Sequence, residues 1–313
     1  MKANPNRIAR WLVGVAGALA IASFTEVNAG AADSQEVFKT PQAAAAALAD
    51  AARNNDAGAA MQILGPNSRE VILSGDKVAD KEAAQDFAKS YQQMHRLAYG
   101  DKGQVILYLG AENWPFPIPI VAQASGWVFD TAQGEKELLY RRIGSNELFT
   151  IATLRELAAA EHEYKDGNSD HQFARRLMST SGTHDGLYWP VSSGEAPSPI
   201  GPLVASAAQE GYPTGTKGPS PFHGYFYRIL TSQGANAPGG EKNYLTDGKL
   251  TGGFAIIAYP ATYRSSGVMT FLVNQDGLIV QKDLGPDTVK LAAAMTAYDP
   301  DKSWTEVREY SGR

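Results

Sequence analysis

The sequence predicts an α+β protein in which helices precede antiparallel strands twice along the chain. Alanine-rich or amphipathic segments with helix-capping residues come first in each half, at 40–53 and at 146–165. Runs of alternating apolar and polar residues follow in both halves, separated by Gly, Pro, Asn and Asp, which is typical of short strands and turns. The chain of 313 residues is long enough for two domains.

The N-terminal residues predict a signal peptide for the general secretory route. A basic region with one Lys and two Arg precedes the apolar segment 11–24. Fourteen residues span only about 21 Å as a helix, which is short of the roughly 30 Å hydrocarbon core of a membrane. Small residues around Ala29 and Ala31 fit a cleavage site. We therefore expect removal of residues 1–31, a periplasmic or secreted mature protein, and no stable membrane span.

Composition limits the classes of partner. Removal of residues 1–31 takes away three basic residues and one acidic residue, so the net charge moves from −5 to about −7. A mildly acidic protein has no electrostatic reason to bind nucleic acid, and no such partner is expected. The sequence contains no Cys, so an exported chain must obtain its stability from packing rather than from disulfides. The oligomeric state does not follow from the sequence.

The first domain is predicted over residues 35–143. Thr40 is a favourable N-cap and Pro41 a favourable first helical residue, so a helix begins there. Further elements are expected as helices at 57–64 and 80–97 and as strands at 104–109, 118–123, 126–130 and 138–142, the last after a turn at 131–134. Helices followed by a curved antiparallel sheet are the layout of cystatin-like and nuclear-transport-factor-like cones. This is a fold-level analogy and carries no function.

The second domain is predicted over residues 144–313. Its first helix, 146–165, has an apolar stripe and a charged face. Shorter helices are expected at 171–178 and 202–209, and strands at 224–230, 254–259, 268–273 and 278–284. Asp276-Gly277 between the last two strands is a strong hairpin signal. The sequence therefore predicts a long helix followed by a four-stranded antiparallel meander.

Several long motifs resemble one protein family. They are NWPFPIPIV (113–121), GWVFDTAQGEKELLYRRIGSNEL (126–148), GGFAIIAYPATY (252–263) and SGVMTFLVNQDGLIVQKDLGPDT (266–288). They resemble domain-of-unknown-function family 2950, a family of uncharacterised exported bacterial proteins, over nearly the whole mature chain. The resemblance implies an exported protein of unassigned activity, and it carries over no catalytic residues.

The second half more distantly resembles the globular domains of type IV pilins and type II secretion pseudopilins. Its helix, followed by GYFYRI (224–229) and SGVMTFLVNQDGLI (266–279), stands where those proteins carry similar patterns. Pilins keep their apolar segment as an assembly helix and are cleaved just before it. The segment 11–24 has no such site ahead of it, so we expect a pilin-like fold without a role in a pilus core.

Aromatic residues near loops are the candidate binding residues. Aromatics are favoured at protein and glycan contact surfaces because they bury a large area at a low entropy cost. Most aromatics of a folded chain still lie in the core, which is the alternative for each candidate. The candidates are Trp114, Phe116, Trp127, Tyr188, Trp189 and Tyr225.

Aspartates in loops are candidate calcium ligands. Hard cations favour clustered carboxylate and carbonyl oxygens. Asp276, Asp283, Asp299 and Asp301 are the residues considered, and capping of turns by their carboxylates is the alternative. The EF-hand spacing is absent, and the sequence has no His-Glu-x-x-His or similar spacing for a transition metal.

No catalytic residue and no cofactor are predicted. The sequence lacks a Gly-x-Ser-x-Gly motif, a Cys for thiol chemistry and a Gly-rich phosphate loop. We therefore expect a non-enzymatic binding or assembly factor of the bacterial envelope, with an envelope protein or a glycan as its partner. One alternative is a glycan-directed envelope hydrolase, since two carboxylates about 5–9.5 Å apart can be distant in sequence. Another alternative is a calcium-stabilised secreted interaction domain.

Overall fold

A computed structural model of the chain describes residues 35–191, 194, 197–213 and 220–308. The chain divides into two compact units, which meet in sequence between Ser145 and Asn146. Each unit has its own cluster of buried apolar residues. Both units combine helices with antiparallel sheets, which confirms the predicted α+β class. The predicted signal peptide, 1–31, lies outside the described residues.

Seven helices occur in the described ranges. They are α1 (Pro41–Arg53), α2 (Ala57–Leu64), α3 (Ser68–Ile72), α4 (Lys77–Gln93), α5 (Thr131–Gly167), α6 (Gly201–Glu210) and α7 (Thr288–Ala294). Thr40 caps α1 as predicted, because its hydroxyl accepts a hydrogen bond from the backbone N–H of Ala43 at 3.1 Å. Helix α4 begins earlier than predicted because its N-cap is Asp76, whose carboxylate accepts from the N–H groups of Val78 and Ala79.

The first unit contains a five-stranded antiparallel sheet. Its strands are β1 (His95–Tyr99), β2 (Val105–Leu109), β3 (Trp114–Pro115), β4 (Ile120–Gln123) and β5 (Gly126–Phe129). The order is β1-β2-β4-β5, and β3 also pairs with β2. Helix α1 lies against β4 and β5, and α4 lies against β1 and β2. The sequence did not predict β1, because residues 95–97 continue the helical pattern of α4.

The second unit contains a larger antiparallel sheet and two short strand pairs. Its strands are β6 (Tyr225–Leu230), β7 (Ser232–Gln233), β8 (Lys242–Asn243), β9 (Leu245–Thr246), β10 (Lys249–Leu250), β11 (Ala255–Pro260), β12 (Met269–Asn274), β13 (Ile279–Asp283) and β14 (Thr305–Glu306). The large sheet has the order β14-β13-β12-β11-β6, while β7 pairs with β8 and β9 with β10. Four of its strands lie at the predicted positions, and β14 adds a fifth.

Helix α5 is the main difference from the prediction. The strand predicted at 138–142 and the turn at 131–134 are wrong, since both segments belong to this helix. Buried residues recur along it at spacings of three and four, including Thr131, Gly134, Leu138 and Arg142. A short apolar run cannot be assigned to strand or helix by itself, and the helical period becomes visible only over the whole segment. The predicted division between residues 143 and 144 falls inside α5.

The helix predicted at 171–178 is also wrong. His171 has a positive φ of 49°, which a continuing helix does not allow. The chain instead forms isolated bridges there, from Phe173 to Leu250 and from Met178 to Tyr188. Long-range backbone pairing therefore replaces the local helix. Helix α6 lies where a helix was predicted at 202–209.

Candidate functional site

A surface pocket of about 220 Å³ lies between α1 and α4 in the first unit. Alanines from both helices form part of its lining, because small side chains at a helix contact leave space between the longer ones. Five polar or aromatic side chains complete the lining. The pocket residues are Ala46, Ala49, Asp50, Arg53, Ala88, Tyr91, Gln92 and His95. We call this site the α1/α4 pocket.

Two rings are stacked on one side of the α1/α4 pocket. The ring centroids of Tyr91 and His95 are 3.8 Å apart, and the ring planes differ by 8°. His95 is the first residue of β1, and its Nδ1 lies 2.9 Å from the carbonyl oxygen of Tyr91. Burial, and to a smaller extent the carboxylate of Asp50, raises the pKa of the Tyr91 phenol. The phenol therefore stays protonated at neutral pH and acts as a neutral donor.

A charged pair forms part of the opposite wall of the pocket. Arg53 Nη2 lies 2.8 Å from Asp50 Oδ1, and both side chains are more than half exposed. An exposed ion pair of this kind contributes little to stability. Its two partners can therefore turn towards a ligand at low cost.

The lining of the α1/α4 pocket offers several kinds of contact to a ligand. It presents aromatic faces, methyl groups, one anion and one cation. Its volume is below the roughly 300–1,000 Å³ of pockets for drug-sized ligands. The pocket therefore has room for one ring or one side chain of a larger partner.

A buried arginine connects α5 with the segment around α3 in the first unit. The Arg142 side chain is 3% exposed, and its Nη2 donates to the carbonyl oxygen of Glu70 at 2.7 Å. Burial lowers the pKa of Arg142 to about 10, while the charges of Asp80 and Glu70 act in the opposite direction. The guanidinium is therefore still charged at neutral pH. Its partners belong to the same unit and give it a structural role.

A buried glutamic acid lies in the second unit. Glu161 of α5 is fully buried, and burial raises its pKa to about 8. Its Oε2 accepts a hydrogen bond from the backbone N–H of Ala174 at 2.8 Å, while Oε1 has no hydrogen-bond partner in the described part of the chain. Glu161 is therefore protonated at neutral pH.

An aromatic cluster surrounds a histidine of the second unit. His223 is 2% exposed, and its Nε2 lies 2.9 Å from Oε2 of Glu210, the last residue of α6. The ring centroids of Phe149, Phe222 and Tyr212 lie 3.6 Å, 4.5 Å and 5.4 Å from that of the imidazole. The backbone N–H of His223 donates to the Tyr212 hydroxyl at 3.2 Å. This arrangement holds the imidazole inside the core beside one carboxylate.

Three of the predicted binding aromatics are buried. Trp114, Phe116 and Tyr225 are 9%, 2% and 0% exposed. Phe116 packs edge-on against Phe87, with ring centroids 5.3 Å apart, and the Tyr225 hydroxyl donates to the carbonyl oxygen of Met269 at 3.0 Å. These side chains fill the two cores and do not face solvent.

The other three predicted aromatics are partly buried. Trp127 packs against the core of the first unit, and Tyr188 and Trp189 pack against the core of the second. Trp189 is stacked on His184 with ring centroids 4.3 Å apart. Its Nε1 is buried and has no hydrogen-bond partner in the described ranges. Tyr188 and Trp189 are consecutive in sequence and belong to the second unit, whereas Trp127 belongs to the first.

The four predicted calcium ligands all accept hydrogen bonds, three of them from residues two positions away and one from a distant segment. Asp283 accepts from the N–H of Gly285, and Asp301 accepts from the N–H of Ser303. Asp276 accepts from the side-chain amide of Asn274, two residues before it. Asp299 accepts from the N–H of Asn236 at 2.8 Å. Within residues 35–191, 194, 197–213 and 220–308, no three His, Asp or Glu side chains come together to hold a metal ion.

Local sequence patterns indicate the burial of Glu161 but not the other two arrangements. Glu161 follows Leu154, Leu157 and Ala158 at spacings of three and four residues. This position on the apolar stripe of the helix predicts that Glu161 is buried. The stacking of Tyr91 on His95 had no comparable signal, because the end of α4 and the start of β1 could not be located. The pairing of His223 with Glu210 joins residues that are thirteen positions apart in the sequence, and no local pattern indicates it.

The fold and the α1/α4 pocket define a class: a two-unit α+β protein with a small surface pocket. Residues 35–307 match the family described as "Protein of unknown function (DUF2950)", so the chain belongs to this family and the predicted resemblance is confirmed. No curated protein and no solved structure matches the chain. The resemblance to pilins stays a prediction. None of the helices in the described ranges is long and apolar enough to cross a membrane.

Proposed function

We propose that this protein is an exported, non-enzymatic binding factor of the bacterial envelope and that the α1/α4 pocket is its binding site. The pocket itself is the observation that carries the proposal. It combines a stacked pair of rings with an exposed anion and cation around a volume of about 220 Å³. Pockets with apolar walls and a few polar groups are the usual sites of ligand binding.

One sugar ring of an envelope glycan is the ligand that fits this lining best. The faces of a sugar ring carry C–H groups, which pack against aromatic rings such as Tyr91 and His95. The hydroxyl groups at its edge both donate and accept hydrogen bonds. Asp50 supplies acceptors, Arg53 supplies donors, and Gln92 supplies both. A pocket for a purely apolar side chain would not need these three groups.

Export is the second part of the proposal. It is supported by the basic segment, the apolar segment and the small residues near the expected cleavage site within residues 1–31. The pilin-like description of the second unit belongs here too. It is supported by a long helix that precedes an antiparallel sheet, and it suits an assembly role without requiring incorporation into a pilus.

The two alternatives have weaker support. A glycan hydrolase needs a pair of carboxyl groups, and Glu161 supplies one with a raised pKa. Its burial separates it from solvent, and the hydrogen bond that its carboxyl group accepts comes from the backbone N–H of Ala174 and not from a second acid. Calcium stabilisation also has weaker support, because all four aspartates already accept hydrogen bonds, three from residues two positions away and Asp299 from the distant backbone of Asn236.

Filling the α1/α4 pocket tests the proposal. Ala46 lines the pocket and is exposed, so Ala46→Phe should block it without disturbing the core. Ala43→Phe is the matched control, because Ala43 is an exposed alanine of the same helix outside the pocket. Binding is measured with purified peptidoglycan and with neutral oligosaccharides.

We expect the unmodified protein and Ala43→Phe to bind equally and Ala46→Phe to bind at least tenfold more weakly. Equal binding by both variants would remove the pocket from the proposal. If the protein binds envelope protein but no glycan, the ligand of the pocket is a protein side chain and not a sugar ring. Cell fractionation of the full chain and of a chain without residues 2–31 tests export separately.

A further inference from the structure

The strand β1 leaves one edge of its sheet open. It is the terminal strand of the order β1-β2-β4-β5 among the described residues. The N–H of Gly110 donates to the carbonyl of Met94, and the N–H of Gly100 donates to the carbonyl of Gln104. Hydrogen-bonded and non-hydrogen-bonded pairs alternate along an antiparallel ladder. The backbone N–H and C=O groups of the even-numbered residues of β1 therefore point towards β2. The backbone groups of the odd-numbered residues therefore point to the open side.

This open edge lacks the features that normally prevent strand pairing. Natural edges are protected by Pro, Lys, bulges, inward charges or very short strands. Strand β1 is five residues long with the sequence HRLAY, and its register with β2 is regular throughout. Its one full charge, Arg96, is held over the ring of Tyr108 at 4.0 Å and bonded to Asn113. By contrast, β14 at one end of the other large sheet has only two residues.

The sequence of β1 is complementary to itself. If two copies pair in antiparallel fashion about a twofold axis at Leu97, His95 of one copy faces Tyr99 of the other. Tyr99 is 74% exposed in the single chain, so this pairing covers the most exposed large apolar side chain among the described residues. Aromatic pairs opposite each other stabilise antiparallel strands.

The charges of β1 fit the same arrangement. On the other face of the strand, Arg96 of each copy lies directly opposite Ala98 of the second copy, so no like charges face one another. The odd-numbered residues, whose backbone groups are open, form the three hydrogen-bonded pairs. Register, side-chain pairing and charge placement therefore agree on one geometry.

We propose that the occupant of the open β1 edge is a second copy of this chain, which joins the two five-stranded sheets into one continuous sheet. The twofold axis passes beside Leu97, and the pairing places Tyr99 of the second copy next to the His95–Tyr91 stack. Each α1/α4 pocket then lies next to a residue of the other copy. This inference is independent of the ligand proposed for the pocket.

The mass of the full mature chain as a function of concentration tests the pairing. In the proposed register, residue 98 of each copy faces Arg96 of the other copy. Ala98→Arg therefore creates two repulsive pairs, and Ala98→Glu creates two attractive pairs. We expect Ala98→Arg to raise the dissociation constant of the dimer about fivefold or more. We expect Ala98→Glu to lower it by a similar factor. The two variants change the same side chain, so their melting temperatures provide the control for folding.

A single spin label tests the geometry, because the chain has no Cys of its own. In the proposed register, labels on Asp101→Cys in the two copies are separated by about eight residue steps, or roughly 26 Å. We expect an electron–electron distance near this value, lost on dilution and in Ala98→Arg. A chain that is monomeric at every concentration overturns the proposal. So does a dimer with another distance, or one that responds equally to Arg and Glu.

Discussion

The two units treat charge in their cores in opposite ways. The first unit buries a cation, Arg142, and surrounds it with a carbonyl group and with the charges of Asp80 and Glu70. The second unit buries an acid, Glu161, and gives it one backbone donor. Burial of a charge is tolerated when partners compensate it, and an uncompensated group instead changes its protonation state. Arg142 therefore stays charged at neutral pH, whereas Glu161 becomes neutral.

The units also differ in what they expose. Five of the six residues of β11 are buried, and so are five of the six residues of β12, so the sheet of the second unit is mainly core. The first unit presents the α1/α4 pocket and the open edge of β1. The proposed binding site and the proposed contact between two copies therefore both belong to the first unit.

The largest effect is expected where the compensated charge is removed. Arg142→Ala leaves the carbonyl of Glu70 and the buried carboxylate of Asp80 without their cation, and it leaves a cavity. We expect a loss of about 3–5 kcal/mol in the free energy of unfolding, measured by urea denaturation. Arg141→Ala is the control, since Arg141 forms an exposed pair with Glu137. Similar losses for the two variants would contradict the structural role of Arg142.

The second prediction concerns the uncompensated acid. The pKa of Glu161 rises from its ordinary 4.5 to about 8 on folding, so the folded state binds the proton more tightly. Its contribution to stability is therefore fully present below about pH 4.5 and is lost as the pH rises through about 8. Glu161→Gln should remove this dependence, and at alkaline pH its free energy of unfolding should exceed that of the unmodified protein by up to about 5 kcal/mol.

Urea denaturation across this pH range measures the effect of Glu161→Gln. Glu163→Gln on the exposed side of α5 is the control and should leave the pH dependence unchanged. If the two variants behave alike, the acid is not neutral in the folded state and the contrast with Arg142 fails.

A smaller effect is expected for a buried neutral group. Tyr225→Phe removes the hydroxyl that donates to the carbonyl of Met269, while it keeps the ring in the core. We expect a loss of about 1 kcal/mol in the free energy of unfolding. A calorimetric melt checks it, with Tyr263→Phe at the exposed hydrogen bond to Asp283 as the comparison. A larger loss for the exposed residue would reverse the order expected from burial.

The smallest effect is expected at the rim of the pocket. Asp50→Asn breaks the ion pair with Arg53, whose partners are both exposed, so the free energy of unfolding should change by less than about 0.5 kcal/mol. Glycan binding should weaken in the same variant if the pocket is the binding site. Loss of stability without loss of binding would indicate that Asp50 belongs to the framework and not to the site.

Local chemistry was predictable wherever it acts over a few residues. The cap at Thr40 and the hairpin at Asp276-Gly277 depend on neighbouring groups, and both were read from the sequence. The local patterns of segments 138–142 and 171–178 predict a strand and a helix, respectively, and neither element is present in the structure. In each segment a contact with a distant residue overrides the local preference. Leu138 completes the core of the first unit as a helical residue, and Phe173 pairs with Leu250.

The sequence by itself determined the α+β class, seven of the eight described strands with four or more residues, and the family of this protein. Those properties depend on periodicity, turn residues and long motifs, which are all present in one dimension. Tertiary structure alone decided the candidate site. The α1/α4 pocket arises from the packing of α4 on α1. The open edge of β1 depends on where α4 ends and β1 begins. Shape between packed elements depends on residues that are distant in sequence, so no local pattern specifies it.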